Sequence, residues 1–465
     1  MLSKSVLNPF IDSVRGKLIL PADAGYNEAR KVYNGMIDKK PAIIVQCESV
    51  ADVIASVNFG RENNLLIAIK GGGHNGGGLG MCNDGLVIDL CKMKAISVDV
   101  TGKTVRTEGG CLLSEVDQAT HVYDLAIASG VFGSTGVAGL TLGGGLGHLT
   151  RKYGLAIDNL LEVSIVLANG DLVTASATDH PDLFWAVRGG GGNFGVVVSF
   201  LFKAHDVSMV YGGPTFWEMA DAKTILQWYR NFIKTAPEDI SGFFAFLTVP
   251  INPHFPEEYQ NKKMCAIIWC YTGKLDGAEG VFEPVRNVKK PAIDLAGPIP
   301  FPVLQSLFDP LMPHGLHWYW KADYVNELSD EAIDLHIQHA NASPTWLSAM
   351  HLYPVNGAAA RVGKNATAWH HRDATWAMVM AGVSEDAEGK DIITKWTKDY
   401  WEALHPYSAG AAYVNFMMDE GEDDVKASYN DNYQKLAQIK AEYDLQNLFR
   451  VNQNIKPAIN RLVPT

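Results

Sequence analysis

What this chain has little of narrows its class before any motif is read. Charged side chains make up only 19% of 465 residues, and acidic ones outnumber basic ones 51 to 39, for a net charge of −12. That shortage of positive charge argues against nucleic-acid binding, which needs clustered Lys and Arg to neutralise phosphate. The six cysteines, Cys47, Cys82, Cys91, Cys111, Cys265 and Cys270, form no CxxC pair and sit in no histidine-rich tract. No metal site is therefore expected, and the thiols read as buried and free. No run approaches the ~18 apolar residues of a membrane helix; the densest, Gly195–Phe202, reads as a buried strand. The opening MLSKSVLNPFIDSVRG lacks a signal peptide's continuous apolar core, so a cytoplasmic protein with no membrane contact is expected. A hydrophobic content of 47% excludes extensive disorder.

What is abundant is glycine, 44 residues, concentrated in three clusters. These are Lys70-Gly71-Gly72-Gly73-His74-Asn75-Gly76-Gly77-Gly78, then Gly130 through Gly147, then Gly189-Gly190-Gly191-Gly192-Asn193-Phe194-Gly195. The middle cluster holds eight glycines in eighteen positions, which predicts a loop and no helix or strand interior. Each cluster would let backbone N–H groups approach a pyrophosphate. The third formally matches GxGxxG, but that fingerprint must open a helix, whereas Val196–Phe202 reads as a strand. A doubly wound dinucleotide fold is thus disfavoured.

Around these loops the chain alternates short strand and helix signals. Pro41–Cys47, Leu65–Lys70 and Leu86–Leu90 read as strands, and Ser49 caps a helix running to about Asn63. Residues 94–108 read as a hairpin and 111–127 as a helix. Beyond 207, aromatic extended runs (Phe243–Val249, Cys265–Tyr271, Trp318–Val325, Leu347–Tyr353, Trp376–Val383) predict an antiparallel sheet covered by helices on one face. Trp318, Tyr319, Trp320, Trp346, Trp369 and Trp376 fall in this part. They read either as core or as the wall of an aromatic pocket, with Trp318 and Trp320 on one face. Helix returns over Asp423–Ile439. The fold class is α+β and the layout discontinuous.

The runs KGGGHNGGGLG, GVAGLTLGGGLGHLTRKYGLAIDN, DLFWAVRGGGGNFGVVVSF and NLFRVNQNIKP, in this order from residue 70 to 457, resemble the FAD-linked oxidases of the berberine-bridge-enzyme type, within the vanillyl-alcohol-oxidase superfamily. The resemblance implies a two-subdomain, PCMH-type FAD-binding domain over 1–207 and 420–465, with a substrate domain over 208–419. It implies a flavin bonded through its 8α-methyl to His74, flanked by Gly71, Gly72, Gly73, Asn75, Gly76 and Leu79. Ser134, Thr135, Gly136, Gly139, Gly144, Gly145, Gly147 and His148 match the loops that hold the pyrophosphate and isoalloxazine. Gly195 and Val197 match the adenine-reading positions, and Asn452 and Asn454 a pair near the ring. A lone loop histidine could also simply bond its own backbone.

Four positions refine that expectation. Phe132 stands where many members carry a second flavin link through cysteine, so a single link is expected. Thr135 stands at the position that gates oxygen, and its small size favours an oxidase. Arg361 aligns with a catalytic glutamate; a guanidinium cannot accept a proton but could hold an anion. Tyr413-Val414-Asn415-Phe416 keeps one tyrosine of a YxNY motif, leaving Tyr413, His351 and His370 as candidate bases. The expected activity is an oxidase removing a hydride from a hydroxyl-bearing or activated carbon of a carbohydrate or secondary metabolite, with dioxygen reduced to hydrogen peroxide. Its partners would be that small molecule and dioxygen. A dehydrogenase with another acceptor and a non-catalytic flavin-binding protein remain alternatives.

Overall fold

A computed structural model describes residues 3–458. Three sheets organise the chain. In the first, Lys17–Ile19, Ile43–Gln46, Leu86–Asp89 and Ile67–Lys70 lie in that order, the last three mutually parallel. Helix Val50–Glu62 makes the crossover. Its Ser49 hydroxyl accepts the Asp52 N–H while Asp52 returns a bond to the Ser49 N–H, a complete capping box. In the second sheet, Ile96–Asp99, Thr104–Glu108, Val196–Lys203, Leu160–Val166 and Leu172–Ser176 are all antiparallel. The third glycine cluster therefore runs into a strand, as expected.

The third sheet is antiparallel and eight-stranded, drawn from Met209 to Ser384. Period-two alternation divides its side chains between two environments. Trp217, Phe244, Cys265, Ile267, Trp269, Leu352, Trp376 and Met378 face four amphipathic helices, Ala222–Thr235, Ala278–Val288, Asp330–Asn341 and Lys390–Leu404. The other face packs toward the glycine-loop region around Phe243, Ala245, Ile268 and Tyr353. Trp376 is thus core, while Trp318 and Trp320 share the opposite face with ring centroids 5.7 Å apart.

Local readings failed in three places, each for a visible reason. A helix, Val137–Leu142, forms inside the glycine-rich middle cluster, because Val137, Ala138, Thr141 and Leu142 bury one side of it. The helix expected over 111–127 stops at His121. Asp124 turns left-handed (φ 56), and Leu125–Ala126 pairs with His205–Asp206. The expected helix 423–439 is two helices, Glu422–Tyr429 and Tyr433–Tyr443, broken where Asn430 adopts φ 45. Of the six cysteines, all free, five are buried and Cys91 is half-buried.

Much of the GHLTRKYGLAIDN run serves architecture. Arg151 is buried and donates to the carbonyls of Ile233 and Ala236, capping the end of helix Ala222–Thr235, and to Pro237, Ile240 and Asn356. Asp158 receives Arg372 bidentately at 2.7 and 2.8 Å, with side-chain exposures of 7% and 2%. Asp158→Asn leaves that guanidinium buried without its counter-charge, so a loss of about 3–5 kcal/mol is expected. Chemical denaturation of the variant measures it, and a midpoint equal to the parent's would refute the assignment.

Candidate active site

Strand Ile67–Lys70 delivers the first glycine loop against the second. A Cβ on Gly72 would lie 2.4 Å from the Gly136 nitrogen, and one on Gly136 2.3 Å from the Gly72 nitrogen, so the two backbones meet only because both are glycine. Gly139, inside helix Val137–Leu142, has open space where its Cβ would be and faces a cavity.

His74 stands on that cavity's wall. Its ring stacks on Tyr33 at 3.7 Å and 18°, and its Nε2 lies 3.2 Å from the Ser134 hydroxyl. Burial, and then the nearby His314, lower its pKa to about 3, so the imidazole is neutral. Phe132 lies beside it, 6.4 Å between rings, and packs on Phe308.

The cavity measures about 760 Å³. One wall is glycine loop, with Gly71, Gly72, Gly73, His74, Asn75, Thr135, Gly136 and Gly139; the opposite wall is sheet. Alternation brings Trp318 and Trp320, His351 and Tyr353, and Val379 and Ala381 to the same side. Trp346 joins them, while Trp369 is buried against Tyr413 and Arg372. No Asp, Glu or Arg lines this cavity among the described residues. Its one cation, Lys70, is engaged by Asp89 at 3.2 Å. Neither Trp318 nor Trp320 finds a protein acceptor for its indole N–H.

Of the four candidate catalytic residues, two reach this space. The Tyr413 oxygen accepts from the Gly145 N–H at 2.8 Å and from Asn415 Nδ2 at 2.7 Å; burial, partly offset by those donors, raises its pKa to about 12. His351 Nδ1 lies 2.9 Å from the Tyr353 hydroxyl, and burial lowers its pKa to about 4. The other two do not line the cavity. Arg361, at the end of the short helix Ala358–Arg361, points to the surface and pairs with Glu238. His370 is buried outside the cavity, with Nδ1 unpartnered. Tyr353 and Tyr33 escaped the sequence reading; Tyr353 was reachable as the period-two neighbour of His351, and Tyr33 carries no motif.

The remaining cofactor candidates do not line the cavity. Gly76 is covered by the Trp320 ring, and the Leu79 N–H is held by Asn75. Gly144 lies between Trp369 and Tyr413, Gly145 against Ala156, and Gly147 against the Ser129 carbonyl. Gly195 passes the Val166 carbonyl at a distance no Cβ allows, and Val197 is buried; for this pair the packing alone explains the residue types. The closing segment is pinned by a fully buried pair. Lys440 binds Asp444 at 2.6 Å and the Asn193 and Phe449 carbonyls, while Asn193 receives the Ile455 N–H and bonds the Gln453 carbonyl. That brings Asn452 and Asn454 back with both side-chain oxygens buried and unpartnered, as are both nitrogens of His148.

A Gly72–Gly136 approach that admits no Cβ, and a largely apolar cavity walled by the glycine loops and His74, suit a flavin-type dinucleotide. The comparisons carry this to a family. A model described as "FAD binding domain" matches residues 41–176, and one described as "Berberine and berberine like" matches 412–456. An FAD-linked oxidoreductase of Dictyostelium discoideum is 32% identical over 98% of both chains. The (R)-6-hydroxynicotine oxidase of Paenarthrobacter nicotinovorans is 27% identical over 96% of this chain and 97% of its own. The crystal structure of 6-hydroxy-D-nicotine oxidase from Arthrobacter nicotinovorans superposes with a TM-score of 0.87 at 26% identity, covering 98% of this chain and all of that one. The chain belongs to the berberine-bridge-like family of FAD-linked oxidoreductases.

Proposed function

We propose that the protein is an oxidase that removes a hydride and a proton from an uncharged, aromatic-bearing alcohol or amine of the secondary-metabolite kind, with the flavin bonded once, to His74. Bound FAD supplies the two-electron acceptor, and dioxygen, reduced to hydrogen peroxide, is the final oxidant. The observation that carries the substrate class is the lining. The sheet side of the cavity, walled by Trp318, Trp320, Trp346, Phe308 and Phe216, offers stacking surface, and with no carboxylate or arginine it offers no ionic partner to a charged substrate. The relatives named for hydroxynicotine, a heteroaromatic amine, support the same choice.

In this reading the Trp318 and Trp320 rings stack against the substrate, and the aromatic wall excludes water. Tyr413, its oxygen held by two donors, takes the substrate proton. His351, kept neutral and oriented by Tyr353, holds the substrate's heteroatom. Thr135, small and on the cavity wall, leaves room for dioxygen.

Anaerobic bleaching of the yellow band by a panel of compounds tests this. Uncharged aryl or heteroaryl alcohols and amines are expected to bleach it, and oligosaccharides are not. Steady turnover in air should yield one peroxide per substrate. Bleaching by oligosaccharides alone would overturn the substrate class, and bleaching without peroxide would favour a dehydrogenase.

A further inference from the structure

Beside His74 lies a chain of polar atoms that the flavin-holding glycines do not require. The Ser134 hydroxyl, 3.2 Å from His74 Nε2, is also 3.1 Å from Asp309 Oδ1, and the Ser134 N–H reaches the same oxygen at 3.3 Å. Ser134 stands in the loop before helix Val137–Leu142, whereas Asp309 comes from the turn after helix Phe301–Gln305, 175 residues on. Gly133 makes the approach possible, since a Cβ there would lie 2.6 Å from Asp309 Oδ2. Among the described residues, no lysine or arginine forms an ion pair with Asp309.

A hydroxyl has one hydrogen. With Ser134 donating it to the carboxylate, its oxygen can only accept from His74, so Nε2 carries the ring proton and Nδ1 the free lone pair. Tyr33, stacked on the ring, fixes the plane in which that lone pair points.

We infer that Ser134 and Asp309 are positioning residues for flavin attachment: they hold His74 as the Nε2–H tautomer, and Asp309 receives that proton through Ser134 when Nδ1 is alkylated. The inference rests on the reading that His74 carries the flavin. In the step, one C–H bond of the 8α-methyl breaks and its proton goes to water. The Nδ1–C bond forms, and the Nε2 proton passes to Ser134 as the Ser134 proton passes to Asp309. The two electrons left on the ring system go to dioxygen, which with two protons becomes hydrogen peroxide. Afterwards Ser134 donates to the now bare Nε2.

The test uses the full chain produced under riboflavin depletion, supplied with FAD in air, and followed by flavin that stays with acid-precipitated protein. Bound flavin before acid is measured in parallel. In Asp309→Asn and Ser134→Ala, attachment at pH 6–7, taken per bound flavin, is expected to slow roughly 10²-fold, the lower end for loss of a positioned proton acceptor, and in Asp309→Asn bound flavin itself should be unchanged. Ser134→Thr, which keeps the hydroxyl, should stay near the parent. Because hydroxide can replace the carboxylate, Asp309→Asn should recover as pH rises toward 9. The groups facing Asp309, namely Asp117 from helix Leu113–His121, Tyr33 and His314 with Lys70 behind it, remain in every variant. Parental attachment rates in Asp309→Asn would overturn the relay alone, as would a deficit that ignores pH and tracks lost binding. Parent flavin wholly released by acid would overturn the linkage and the relay with it.

Discussion

In His74→Ala, no flavin is expected to remain on acid-precipitated protein, whereas in the parent nearly all of it should. His74 is the one imidazole in the first glycine loop, and three features suit it to bond carbon. Burial holds it neutral with a pKa of about 3, so its lone pair is available at any working pH. Tyr33 fixes its plane. The ring lines the same cavity as Thr135, Gly136 and Gly139. Proteolysis of the parent should find flavin mass on the peptide containing His74 and nowhere else, because Phe132, packed on Phe308, offers no thiol at the second attachment position. Flavin binding itself should persist in His74→Ala, since the glycine cradle and the unpartnered oxygens of Asn452 and Asn454 are untouched. Colour found entirely in the parent's acid supernatant would refute the linkage, and a flavinylated cysteine peptide would refute its singleness.

How much of this site the sequence carried depends on where each residue's signal lay. The glycine loops were legible because close backbone approach admits one residue type, so Gly72 and Gly136 announce a contact that they themselves make. Tyr413 and Asn415 were legible as a surviving half of a motif. Asp309 was not: it occupies an ordinary turn, and only folding brings it to Ser134 across 175 residues. Arg361 was misplaced for the converse reason. Aligning a motif fixes a position along the chain, but helix Ala358–Arg361 turns that position outward to Glu238. The sheet was read well because period two survives any tertiary context, which sorts Trp318 and Trp320 to the cavity and Trp376 to the helices. Helix ends were read poorly, since Asp124 and Asn430 stop their elements by adopting positive φ, a choice any Asp or Asn could make or decline.

Tyr413→Phe is expected to lower the rate of flavin reduction by substrate by 10²–10⁴, the usual effect of losing a general base, or about 3–5 kcal/mol of barrier. The phenol oxygen already accepts two hydrogen bonds, from the Gly145 N–H and Asn415, an arrangement that suits the tyrosinate better than the neutral phenol. Burial opposes ionisation and holds the pKa near 12. Below that value the tyrosinate fraction grows tenfold per pH unit, so the logarithm of the reduction rate should climb with pH from 6 to 9 in the parent and lose that slope in Tyr413→Phe. His351 predicts a different curve. Neutral above a pKa of about 4, it would give a rate that falls only on the acid side and is level beyond. The substitution also strips an acceptor from two buried donors and should cost about 1–3 kcal/mol of stability, so flavin content and unfolding midpoint are measured alongside. Anaerobic single-turnover reduction isolates the step from reoxidation. A level parental profile, with Tyr413→Phe reducing within twofold of the parent, would move the proton to His351, with Nδ1–H donating to the Tyr353 oxygen and Nε2 as the accepting atom.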